Sequence, residues 1–232
     1  MEIKQLIITI ITVYIIVSFI EWYIHRYLMH YTDNKVINAI NYLFKKVYTI
    51  VHGYSQDNSH VQHHTIVKNN GDVDEDDDGM FFDIKNIPLL TVSTSLIYYF
   101  ISRMFKYNHS KNEYIGIFMV LFIISCVYYK LWNILHPSYH NYHMNNYSFL
   151  KDNSIYKYLE KYHMIHHFNK GLEKTNYNII LPGADFLFGT YKGCIDNTDY
   201  CKTNKYKSKK DYRICRKQEK DRKLSGIDYC TK

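Results

Sequence analysis

YIGIFMVLFIISCVYYKLWNIL, residues 114–135, is the stretch on which the fold turns. A bilayer core is crossed by about 17–25 helical residues, and this run holds one charge, Lys130, close enough to its end to snorkel to the interface. Eight residues before it ends IPLLTVSTSLIYYFISRMF (87–105), with Pro88 acceptable in a first helical turn. So short a connection predicts a tight membrane hairpin. Nearer the N-terminus, LIITIITVYIIVSFI (6–20) is uncharged, and the apolar character continues to residue 24 apart from Glu21. No small-residue cleavage site follows it, so it reads as a retained helix and not a signal peptide. INYLFKKVYTIVHGY (40–54) is interrupted by Lys45 and Lys46 and reads as a helix lying in the interface.

The acidic run NGDVDEDDDG (70–79) lacks the twelfth-position Glu of an EF-hand and reads as a solvated linker. Residues 192–232 hold thirteen Lys or Arg against six Asp or Glu. They are expected to form a basic, flexible tail behind a single integral-membrane domain, residues 1–191. Abundant Tyr, Ile, Asn and Lys fit an AT-rich coding sequence, which discounts Tyr and Lys as functional signals, and no nucleic-acid partner is expected. The five cysteines form no C-x-x-C pair; four lie in the tail, where free thiols are expected.

Thirteen histidines are spread unevenly. SHVQHHTIVK (59–68) carries His60, His63 and His64, and YHMIHHFNKG (162–171) carries His163, His166 and His167. Positions i, i+3 and i+4 lie on one side of a helix, so each His-x-x-His-His is expected to aim three imidazoles at one point. His25 and His30, five apart, serve one centre only near a helix end or bulge; otherwise they serve two neighbouring metals. His136 and His140 share a face, although Pro137 suggests that the helix restarts there. His52 and His109 read as ordinary histidines.

Topology gives an independent test. Two clusters precede the hairpin and two follow it, and a hairpin returns the chain to its starting side. All four clusters therefore fall on one face, with His109 and the sequon Asn108-His109-Ser110 in the opposite turn. The Lys-rich tail marks the histidine side as cytosolic.

Imidazole suits zinc, copper, iron and nickel. A structural zinc takes four ligands and a catalytic zinc three, so ten or more clustered histidines exceed one ion and fit two, with about five nitrogens each. There is no H-E-x-x-H, and the E-x-x-H at Glu160 and His163 occurs once where ferritin-like bundles need two. The expectation is an all-α membrane protein with about three transmembrane helices, whose interfacial and cytosolic helices form a histidine-rich dimetal cap.

Four stretches in order, EWYIHRYLMH, HVQHH, HPSYH and YHMIHH, resemble the histidine boxes of the membrane fatty acid hydroxylase/sterol desaturase superfamily. NYNIILPGADFLFGT is similar to the segment after the last box in fatty-acid 2-hydroxylases. The resemblance spans residues 15–191. It implies a non-haem di-iron enzyme, with zinc as the alternative metal in purified protein, that uses O2 to hydroxylate or desaturate a membrane lipid. It further implies His25, His30, His60, His63, His64, His136, His140, His163, His166 and His167 as ligands, with His143 a rival in the third box. Glu21 and Asp185 are the candidates to orient imidazoles by accepting their second N–H.

No haem or flavin motif is visible, so electrons are expected from a b-type cytochrome and its NAD(P)H-dependent reductase at the endoplasmic reticulum. The tail could dock that cytochrome or an anionic leaflet, at roughly 1 kcal/mol per cation, or simply solubilise the chain. Three departures stand out: three spans where relatives often have four, Asn178 where Gly is common, and the acidic insertion. A sterol oxidase or desaturase of the same superfamily is the enzymatic alternative. A zinc-binding or transport protein is the other, but transport predicts ionisable groups within the spans, and residues 6–20 and 87–102 have none.

Overall fold

A computed structural model describes residues 3–30, 34–52, 59–67, 71–73, 78–107, 109–142, 144–169, 175–194 and 213. Among these residues every regular element is helical, with no strand. Helix α1 (Ile3–Tyr23) runs directly into a π-helical segment (Ile24–Met29), followed by α2 (Lys35–His52) and α3 (Ser59–Ile66). A 3-10 turn (Asp78–Met80) precedes α4 (Asn86–Met104) and α5 (Lys111–Tyr139). A 3-10 stretch (Met144–Asp152), α6 (Ser154–Phe168) and the short α7 (Ala184–Leu187) complete the set.

Local chemistry sets several boundaries. Ser110 starts α5 with a capping box: its Oγ accepts from the Glu113 N–H at 3.3 Å, and Glu113 accepts from the Ser110 N–H at 2.7 Å. Asn153 caps α6 by accepting from the N–H groups of Ile155 and Tyr156. Pro137 does not restart a helix, as its position suggested. It lies inside the last turn of α5, which continues to Tyr139 and so keeps His136 and His140 on one face.

The α4–α5 hairpin packs against α1, and α6 closes the histidine end. The core joins Val13, Ile16, Val17 and Ile20 of α1 to Leu121, Tyr128 and Trp132 of α5 and to Leu159, Ile165 and Phe168 of α6. Arg26 lies over the rings of Trp22, Tyr27 and Tyr177 at 5.0–5.5 Å, and Trp22 stacks on Phe188 at 4.3 Å. These contacts tie the π-helical segment to the C-terminal part of the domain.

The helices turn apolar side chains outward. A soluble helix hides its apolar stripe, and large exposed apolar bands mark membranes or partners. Here α5 buries only 22% of its most apolar window, leaving Phe118, Met119, Val120 and Ile123 exposed. The apolar windows Ile7–Met29 and Lys111–Tyr139 are both long and apolar enough to cross a membrane. The expected middle span forms helix α4, but its hydroxyl residues keep it below the hydropathy of the other two. Those hydroxyls point inward and bond back along the helix, Thr91 to the Ile87 carbonyl at 2.8 Å and Ser95 to the Thr91 carbonyl at 2.7 Å, while Val92, Leu96 and Phe100 face out.

Helix α2 starts five residues before the stretch read as interfacial. Its apolar positions Val36, Ile40, Leu43, Phe44, Val47 and Ile50 form one exposed stripe, with Lys45 and Lys46 exposed beside it. Asn41 is buried and donates to the Tyr27 carbonyl of the π-helical segment.

Of the basic tail, residues 192–194 and 213 are described. Cys194 is disulfide-bonded, against the expectation of a free thiol, and its partner lies outside the described residues; Cys126 is free.

Candidate metal centre

All ten histidines of the expected ligand set converge, in two groups of five. Cluster A comprises His25, His30, His60, His64 and His166; cluster B comprises His63, His136, His140, His163 and His167. Within each group one nitrogen per ring lies within 4.8 Å of all the others. The groups are contiguous, with the rings of His64 and His167 4.2 Å apart. His143 and Asn108 lie outside the described residues.

The grouping corrects the expectation that each His-x-x-His-His aims at one point. Along a helix, adjacent residues diverge by about 100°, whereas i and i+4 differ by about 40°. The outer pair of each motif therefore shares a cluster and the middle histidine crosses to the other. His60 and His64 enter cluster A while His63 enters B; His163 and His167 enter B while His166 enters A. His25 and His30 both enter A because the intervening turn is π-helical, which brings positions five apart onto one side, with ring centroids 5.1 Å apart.

Four of the ten rings are aimed by backbone carbonyls. His136 Nδ1 donates to the Met80 carbonyl at 2.8 Å, His140 Nδ1 to Gly71 at 2.6 Å, His166 Nδ1 to Thr175 at 2.6 Å, and His25 Nδ1 to Tyr177. A carbonyl only accepts, so in each neutral ring the hydrogen is on Nδ1 and Nε2 carries a lone pair. Those Nε2 edges meet one another. In cluster A, His25–His60 is 2.8 Å, His60–His64 3.2 Å, His64–His166 3.1 Å and His166–His30 3.2 Å. In cluster B, His63–His140 is 3.1 Å, and His140–His163 and His163–His167 are 3.0 Å. His136 Nε2 is buried with no hydrogen-bond partner among the described residues.

This donor set fits a bound cation. Nitrogens held at about 2.1 Å from one ion sit about 3.0 Å apart when adjacent and about 4.2 Å when opposite in an octahedral shell, against about 3.4 Å in a tetrahedron. The observed neighbours lie 2.8–3.2 Å apart and each group spans at most 4.8 Å, a spacing that one ion per group could draw together. Burial, reinforced by the adjoining imidazoles, holds His60, His140, His163 and His167 well below their ordinary 6.5, so the rings are neutral and available as ligands. The histidine groups could thus hold metal ions.

Glu21 and Asp185, expected to accept from imidazoles, do not. Glu21 accepts from the backbone N–H groups of Ile179, Ile180 and Leu181 at 2.6, 2.9 and 3.2 Å. Asp185 accepts from the N–H groups of Tyr177 and Asn178 at 3.0 and 2.7 Å and from the Tyr162 hydroxyl at 2.6 Å. Burial and the Asp185 charge push the Tyr162 hydroxyl far upward, so it stays a donor. Both carboxylates act one step away from the rings, on the segment whose carbonyls hold His25 and His166. Asn178, noted as a departure, is buried between them: its amide donates to the Ser18 carbonyl at 2.8 Å and to Glu21 at 3.3 Å, and accepts from the Asp185 N–H at 3.2 Å.

The carbonyls of Gly71 and Met80 escaped the sequence reading because they flank what looked like a solvated linker. Only Gly71 carried a signal, a glycine at the edge of the acidic run, and its φ of +97° explains it.

A narrow apolar cavity between α1, α4 and α5, lined by Val17, Ile20, Ile24, Leu90, Tyr128 and Trp132, reaches His25 and Glu21. At the other end of the bundle, His109 packs among Tyr98, Tyr107 and Tyr114, remote in the chain from the ten.

No family model matches the chain, and no match was found among curated proteins or solved structures.

Proposed function

We propose that the chain is a membrane-bound di-iron oxygenase that hydroxylates or desaturates an alkyl carbon of a membrane lipid, most closely a fatty-acyl or sphingolipid-type substrate. The observation that carries this reading is the pairing of two contiguous five-histidine clusters with converging edges, two rings of each aimed by carbonyls, beside a small apolar cavity that ends at His25. Five donor nitrogens per group exceed the four of a tetrahedral zinc site, which favours iron over zinc. Bound iron would supply the two-electron activation of O2 that an unactivated C–H bond requires.

The chain's own residues would do the rest. The cavity holds about 20 Å³, so its apolar walls at Leu90, Tyr128 and Trp132 would have to part to admit an alkyl chain beside His25; they would then exclude water, and positioning would set which carbon reacts. In this reading α4 is a third span, supported by its inward hydroxyls and outward apolar face, and the apolar stripe of α2 lies in the lipid interface with its lysines at the headgroups. The histidine side faces the cytosol of the endoplasmic reticulum, where a b-type cytochrome and its NAD(P)H-dependent reductase deliver electrons.

The test is lipid profiling under 18O2 of cells expressing the chain or its His166→Ala variant. A lipid carrying one 18O, or a new double bond, that disappears in the variant supports the reading. An unchanged lipidome overturns it.

A further inference from the structure

We infer that the two clusters are unequal: cluster A is the substrate-facing, exchangeable metal position, and Glu21 and Asp185 are positioning residues that hold it through one backbone segment. This rests on the dimetal reading above.

Three independent features point the same way. Exposure separates the clusters first. All five histidines of cluster B are buried, whereas His30 and His64 of cluster A are half-buried. The apolar cavity is the second feature: it touches His25 of cluster A, and no cluster B histidine lines it.

The third is how the rings are anchored. The carbonyls that hold cluster A, from Thr175 and Tyr177, belong to one segment, residues 175–181. That segment has little regular structure to stabilise it. Its amides are held instead by Glu21, at the end of α1, and by Asp185 at the start of α7, with Asn178 joining the two carboxylates. Cluster B is anchored elsewhere, by Gly71 and Met80 on the segment before α4. Gly71 sits at φ +97°, a conformation that L side chains rarely adopt, so a Cβ there strains the backbone and also crowds the Met164 sulfur at 2.6 Å. The carbonyls that brace the two positions thus lie on separate segments of the chain.

Full-length protein in nanodiscs, loaded with Co(II), would be exposed to EDTA for timed intervals, desalted, and its metal counted by mass spectrometry with the cobalt absorption recorded alongside. Wild type should release its ions in two phases of one ion each. Losing an outer hydrogen-bonded support typically weakens metal binding by about 10- to 100-fold, so Glu21→Gln and Asp185→Asn should speed the fast phase by about that factor and leave the slow one within about twofold. Gly71→Ala should speed the slow phase instead. Tyr162→Phe removes one donor to Asp185 and provides a milder variant if the carboxylate variants fail to fold; it too should act on the fast phase alone.

Single-phase release by wild type, or acceleration of the same phase by Tyr162→Phe and Gly71→Ala, overturns the inference. Wild-type protein that binds fewer than two cobalt ions before EDTA is added overturns the dimetal reading itself.

Discussion

His63 and His64 are neighbours in the chain and belong to different clusters: His63 Nε2 lies 3.1 Å from His140, and His64 Nε2 lies 3.1 Å from His166. A doubled histidine on a helix diverges by about 100°, so it suits two adjacent ions better than one.

Alanine at either position should therefore remove a different ion. Metal analysis of His63→Ala and His64→Ala should each show one ion lost per chain, and the double variant should show both lost. If the double variant loses no more than either single one, the motif serves one site and the grouping is wrong.

The metal-free protein should lose stability in acid. Burial lowers the folded-state pKa of His60, His140, His163 and His167 below the ordinary 6.5, so below that pH the unfolded chain binds more protons than the folded one. Stability is flat above about pH 7 and falls as pH drops through 6.5, each such histidine contributing up to about 1.4 kcal/mol per pH unit. Thermal unfolding of EDTA-treated protein from pH 5 to 8 measures this. A midpoint that rises on acidification would contradict the buried, neutral clusters.

Leu90→Trp should close the apolar cavity beside His25 without touching a ligand. Lipid product should drop by at least about tenfold, since small misplacements of a reacting chain cost that much or more, while bound metal is unchanged. Full turnover in this variant would mean that the substrate enters elsewhere.

The proposed three-span topology would place Lys106 and Lys157 on opposite sides of the membrane. Cysteine introduced at 157 should react with an impermeant maleimide from the cytosolic side, and cysteine at 106 only after the membrane is permeabilised. Labelling of both from one side would leave α4 as a helix that does not cross.

Much of this was legible in the sequence. Helical class followed from uninterrupted apolar runs; the histidine clusters followed from their spacing, and the set of ten from the resemblance to the hydroxylase histidine boxes. Three features were not. The sharing of each His-x-x-His-His between clusters depends on where the second ion sits relative to the helix, which spacing alone leaves open. The π-helical turn that unites His25 with His30 has no compositional mark. The roles of Glu21 and Asp185 depend on a contact between α1 and residues 175–190, separated by more than 150 positions. Backbone carbonyls that aim imidazoles are invisible in side-chain patterns, which is why Met80 and Thr175 were found only in the fold.

The central claim, two ions held by ten imidazoles, is tested most directly by counting metal in the purified chain and reading its coordination by X-ray absorption. The account predicts two ions per chain, each surrounded by about five nitrogen neighbours at roughly 2.1 Å. One ion or none, or ions in four-coordinate shells, would contradict it.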